Sequence, residues 1–101
     1  MNPNTESDDP PAPAQVTVYW RPGCGFCFML RRGLRKAGVP TVEVNIHDDP
    51  EAAAFVRRHA RGNETVPTVD VAGTVLVNPR AGQVAELARA AGVPMTGPDR
   101  G

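Results

Sequence analysis

The 101-residue chain has little of what usually props up or addresses a small protein. It holds two cysteines, which are too few for the disulfide framework of a small secreted domain. It has no run of about twenty apolar residues, so no membrane span is expected. The N-terminus lacks a basic start and a hydrophobic stretch, so no signal peptide is read there. Charge of one sign is also lacking: 11 basic and 11 acidic residues leave a net charge of zero, which argues against nucleic-acid binding. Ten of the basic residues are arginine, to which no functional meaning attaches. These absences place the protein in the cytoplasm, where a structural disulfide is not expected and the two cysteines need another explanation.

Residues 1–14 carry four prolines, three acids and no base, and have almost nothing apolar to bury. They read as a disordered, solubilising tail, followed by one domain over 15–95 and a flexible C-terminus over 96–101. Without the tail and the last acid–base pair, the folded part has ten basic and seven acidic residues, or +3.

Gln15 to Trp20 is β-branched and aromatic and reads as a strand. Arg21-Pro22-Gly23 is a turn. From Cys24 to Ala37, apolar residues at Cys27, Leu30, Leu34 and Ala37 form one helix face. Arg31, Arg32, Arg35 and Lys36 form a solvated opposite face, and Gly38 stops the helix. Thr41 to Ile46 is a second strand. Asp49-Pro50 is an N-cap with proline in the first turn, opening a helix with Ala52, Phe55, Val56 and His59 or Ala60 on one side and a stop at Gly62. Thr68–Val71 and Thr74–Val77 form a hairpin across Ala72-Gly73. Asn78-Pro79 is read as a second cap-plus-proline device before a helix with Val84, Leu87, Ala88 and Ala91 on one face, ending at Gly92. The order β-α-β-α-β-β-α predicts an α/β, thioredoxin-like fold: a four-stranded mixed sheet with three helices.

The chemistry is expected at Cys24-Gly25-Phe26-Cys27, where a strand meets a helix in a βαβ context. A cysteine at a helix N-terminus faces unpaired N–H groups and the positive end of the dipole. That lowers its pKa below the free value of about 8.5 and makes Cys24 the nucleophile. Arg21 adds positive charge nearby. Cys27, one turn on and facing the core, is the resolving or auxiliary thiol. A zinc site is not expected, because the histidines, His47 and His59, lie twelve residues apart, against three to five in finger pairs. His47 reads as a loop residue and His59 as a partly buried helix residue, neither catalytic. Phe26 and Phe28 offer a small apolar contact surface, with burial the competing reading for Phe28.

Thr65-Val66-Pro67 precedes a strand at which proline cannot donate to the sheet. A cis bond there turns the Val66 N–H and C=O outward beside the cysteines, where they bind an extended thiol substrate as an added strand would.

With these motifs assembled, the chain resembles a glutaredoxin of the mycoredoxin branch from Val16 to Ala91. The residues that carry the likeness are Tyr19-Trp20-Arg21-Pro22-Gly23-Cys24-Gly25-Phe26-Cys27, Thr65-Val66-Pro67 and Leu76-Val77-Asn78-Pro79. The resemblance implies a thioredoxin fold, a cis bond before Pro67, a nucleophile at Cys24 and substrate binding by Arg21, Gly25, Phe26, Val66, Pro67, Asn78 and Pro79. It departs from glutathione-using members, which follow the second hairpin strand with Gly-Gly and an acid; here the segment is Asn78-Pro79-Arg80-Ala81-Gly82.

The implied activity is reduction of mixed disulfides between proteins and a small thiol, mycothiol or glutathione, as co-substrate, with mycothiol favoured and no tightly bound cofactor or metal. The implied partners are mycothiolated or disulfide-containing proteins and, indirectly, an NADPH-dependent mycothiol disulfide reductase; the protein is expected to be a monomer. Two rivals stand beside this. One is a redoxin reduced directly by thioredoxin reductase, although the Trp-Ser-Gly-Phe segment typical of that group is missing. The other is an iron–sulfur carrier using Cys24, suggested by Gly25-Phe26.

Overall fold

Val16 and Val18 have no exposed surface, and they alternate with half-buried Thr17 and Tyr19. This period of two gives a strand with two different faces. The computed structural model of the chain describes residues 14–96, and that strand, β1 (Val16–Trp20), lies inside its sheet. It is followed by α1 (Gly25–Lys36), β2 (Thr41–Asn45), α2 (Pro50–His59), β3 (Thr68–Val71), β4 (Thr74–Val77) and α3 (Ala81–Ala90). The spatial order is β2-β1-β3-β4, with β1 parallel to β2, and β3 antiparallel to both β1 and β4. The expected four-stranded mixed sheet with three helices is the one observed.

Two cores flank the sheet. Val16, Val18, Val69 and Val71 pack with Leu30 and Leu34 of α1 and Val84 and Ala88 of α3. On the other side, Ala52, Ala53 and Val56 of α2 pack with Ile46, supported by Tyr19, Val44, Phe55 and Val66. The site-bearing helix α1 is held against the sheet by its Cys27, Leu30 and Leu34 stripe. Among the described residues no helix is long and apolar enough to cross a membrane.

The glycine stops form where expected. Gly38, at φ +77, donates to Arg35 O at 3.1 Å, and Val39 donates to Leu34 O at 3.0 Å, which closes α1 with a left-handed cap. Gly92 and Val93 repeat those two bonds at the end of α3. Asp49 caps α2 by accepting from the Glu51 and Ala52 amides at 3.1 Å.

Four expectations need correction. Asn78-Pro79 is not a helix cap: Asn78 lies at φ +53, and α3 begins at Ala81 after Arg80. The Arg80 N–H is satisfied by Gln83 Oε1 at 2.8 Å. The α2 helix ends at His59 rather than at Gly62, because Arg61 also takes a left-handed conformation, at φ +58. His59 is exposed, its ring lying 4.5 Å from that of Phe55. Arg31 does not belong to a purely solvated face: it pairs with Glu43 at 2.8 Å and lies 4.6 Å over the Trp20 ring. Residues 1–13 and 97–101, which include most of the expected tail and C-terminus, fall outside the described residues. At their inner edges, Ala14 is half-buried against the core and the Thr96 N–H donates to Gly38 O at 2.8 Å.

Candidate active site

The end of β1, the turn Arg21-Pro22-Gly23 and the start of α1 are continuous chain, so Cys24 arrives at the helix start as its N-cap, with an extended backbone at φ −91 and ψ 106. Its sulfur accepts the Cys27 N–H at 3.1 Å. One free amide of the first turn is thereby aimed at the sulfur. Cys27 is 1% exposed, whereas Cys24 is only half-buried. The two are joined as a disulfide with Cα atoms 5.2 Å apart. The structure thus separates an approachable sulfur from one sealed behind it.

Opposite Cys24 lies the chain leading into β3. The Val66–Pro67 bond is cis, and Val66 O is 3.9 Å from Cys24 Sγ. Pro67 is buried, and Thr68 anchors the turn by donating its hydroxyl to Thr65 O at 2.8 Å. Just past β4, the Asn78 N–H donates to Pro67 O at 2.8 Å. That bond explains the left-handed backbone at Asn78: the chain turns there to reach the proline loop instead of starting a helix.

On the other flank, Phe26 and Met29 of α1 face Asn78, Pro79 and Arg80 across a shallow groove of about 260 Å³. Phe26 is 73% exposed, Phe28 61% and Met29 63%. Phe28 therefore stays out of the core, and three large apolar side chains stand in solvent beside the disulfide. Gly25, exposed and with no atom near a would-be Cβ, leaves the approach to Cys24 open.

Arg21 stands beside the site, but its charge is partnered: Nη2 lies 2.7 Å from Glu64 Oε1, and the other Glu64 oxygen takes Arg57. Sequence reading had no signal for Glu64, which lies 43 residues from Arg21. The structure brings together Cys24, Cys27, Gly25, Phe26, Val66, Pro67, Asn78 and Pro79 around one disulfide, with Arg21 at its edge. A larger concavity lined by Tyr19, Val44, Phe55 and Arg58 contains neither cysteine. His47 and His59 lie outside the site, both exposed.

A sulfur held at a helix start, a buried partner one turn on and the carbonyl of a cis-proline turn opposite can carry out thiol–disulfide exchange. Comparison with known proteins agrees. The family model described as Glutaredoxin matches residues 16–76. A Mycobacterium tuberculosis protein described as a glutaredoxin is 41% identical over 81 residues, covering 78% of this chain and 96% of that one. Mycoredoxin 1 of Corynebacterium glutamicum is 35% identical over 72 residues, covering 70% and 89% respectively. Among solved structures, the glutaredoxin-like NrdH-redoxin of Escherichia coli has a TM-score of 0.62 at 26% identity, covering 72% of this chain and 93% of that one. The glutaredoxin of Archaeoglobus fulgidus has a TM-score of 0.63 at 19% identity, covering 88% and 96%, a likeness of fold.

Proposed function

The chain belongs to the glutaredoxin family and is a thiol-disulfide oxidoreductase, and from that premise we propose that it reduces mixed disulfides between proteins and mycothiol. The observation that carries the reading is the setting of the Cys24 sulfur, between the first-turn amide of α1 and the Val66 carbonyl.

In the reduced enzyme the Cys27 N–H and the helix dipole favour a thiolate at Cys24. A mixed disulfide docks its peptide edge on Val66 and its apolar flank on Phe26, along the groove that Pro79 lines. The Cys24 thiolate attacks the mycothiol sulfur, the old S–S bond breaks, and the protein leaves as a thiolate that takes a proton from water. A second mycothiol, as thiolate, then attacks the small-thiol sulfur on Cys24. This frees Cys24 and yields mycothiol disulfide, which an NADPH-dependent reductase recycles. A thiolate that is stable at ambient pH is also a good leaving group in that second step. Cys27 offers a branch: it displaces mycothiol from Cys24 and forms the internal disulfide.

Mycothiol is favoured over glutathione by Asn78-Pro79-Arg80, which offers no acidic clamp for a free amine, and by the 35% identity to Mycoredoxin 1. We assign the enzyme to the cytoplasm as a monomer on the same reading. The test offers reduced protein mycothiol, glutathione or thioredoxin reductase in parallel, each coupled to NADPH. Mycothiol is expected to give the fastest turnover. A higher rate with thioredoxin reductase alone overturns the proposal and promotes direct reduction, a reading that the likeness to NrdH-redoxin supports.

Cys27→Ser separates the two routes. It is expected to keep mycothiol turnover, while Cys24→Ser loses it entirely. Collapse in Cys27→Ser means that the internal disulfide is obligatory.

A further inference from the structure

Glu64 sits two residues before Val66 and divides its carboxylate between two guanidiniums. Oε1 takes Arg21 Nη2 at 2.7 Å, and Oε2 takes Arg57 Nη1. Arg21 is in turn three residues before Cys24, and its carbonyl accepts the Cys24 N–H at 3.3 Å. The ion-pair network therefore spans the two chain segments that face each other across the reactive sulfur. All three side chains are partly open to solvent, and the network is tied through the backbone to both segments that flank Cys24.

We propose that Glu64 is a specificity-determining residue that turns the enzyme away from small thiols bearing a carboxylate and towards uncharged, hydroxyl-rich ones. The inference rests on the reading of Cys24 as the attacking thiolate and deepens it. Two guanidiniums borne next to the segments that flank Cys24 would, if free, form a natural receptor for an anionic thiol held there, because paired planar donors match carboxylate geometry. Here an internal carboxylate already uses both of its oxygens on them. An incoming carboxylate must displace Glu64 and also meets its negative charge. A neutral thiol does neither.

The test uses a matched pair of small disulfides, dithiodipropionate and its dimethyl ester, which differ only in charge. Single-turnover rates of the reduced protein are followed as loss of free thiol by quenched mass spectrometry, so no reductase is needed. Solvent screening keeps exposed ion pairs modest, so Glu64→Gln is expected to raise the acid-to-ester rate ratio about fivefold, the rise coming from the acid. Glu64→Asp, which keeps the carboxylate, is expected to stay near wild type. A ratio unchanged in Glu64→Gln overturns the proposal. Equal slowing of acid and ester does so too, since it reports only a loosened turn.

A readout without chemistry stands beside it. On titration with propionate, the Arg21 and Arg57 Nε–H signals are expected to shift in Glu64→Gln and not in wild type; equal shifts in both overturn the proposal. Failure of wild type to react with either disulfide would instead strike the assignment of Cys24, leaving the propionate titration to decide the role of Glu64.

Discussion

At the scale of single residues, neighbouring sites differ by what surrounds each side chain. Cys24 and Cys27 are chemically the same, yet one caps a helix at the surface and the other is sealed in the core. Tyr19 shows the same dependence on place. It is the sole tyrosine, its ring 5.0 Å from that of Phe55. Burial, then the Asp70 and Asp49 carboxylates, hold its phenol above the ordinary 10.0. A raised value means that the folded state keeps the proton longer than the unfolded chain does. The stability contributed by the neutral phenol is therefore complete below about pH 10 and is lost as pH climbs through the folded value. Absorbance titration of tyrosinate, which reads this one group, is expected to give a midpoint above 10.0. Thermal unfolding temperature is expected to fall from about pH 10 upward, less steeply in Tyr19→Phe. A midpoint at or below the ordinary value refutes the account of its surroundings.

At the scale of elements, α1 and α3 approach so closely that no side chain fits between them at Gly33. A Cβ there would lie 2.7 Å from Ala81 Cβ, well inside the usual carbon contact of about 3.5–4.0 Å. Two effects oppose each other in Gly33→Ala. Helix propensity favours alanine by about 1 kcal/mol, while overpacking costs roughly 1–3 kcal/mol. The clash is with a short side chain fixed to the first residue of α3, which cannot swing away, so overpacking wins. The variant is expected to lose about 1 kcal/mol in a guanidinium melt, and adding Ala81→Gly is expected to return part of it. A Gly33→Ala protein more stable than wild type contradicts the close approach.

Element boundaries also show what sequence can and cannot convey. Asp49-Pro50 and the Gly38 and Gly92 stops were legible because capping is decided within a few residues of chain. Asn78-Pro79 has the same local pattern as Asp49-Pro50 and does something else. Its backbone is settled by a bond to Pro67, eleven residues away, which no local pattern carries.

For the whole molecule, periodicity and punctuation made the sheet, the helices and the cysteine pair legible. What they missed was pairing between distant polar residues: Glu64 with Arg21 and Arg57, and Arg31 with Glu43 and Trp20. Such contacts depend on which elements end up adjacent, and leave no spacing to read. The same division bears on how the fold survives its own chemistry. A thiol-disulfide oxidoreductase whose two cysteines pair as a disulfide needs a fold that stands with that bond open or closed. The bond joins residues three apart, and so short a closed loop restricts the unfolded chain by only about 2 kcal/mol. Against this, Val16, Val18, Val56, Val69 and Val84 are all fully buried, each side chain contributing about 1.5–3 kcal/mol. The cores on the two sides of the sheet, not the disulfide, therefore carry the fold. Reduction is expected to lower stability in a guanidinium melt by no more than about 2 kcal/mol and to leave the far-ultraviolet circular dichroism unchanged. Loss of helical signal on reduction would show that the cores cannot hold α1 in place, and Cys24 would then lose the helix start that the proposed thiolate requires.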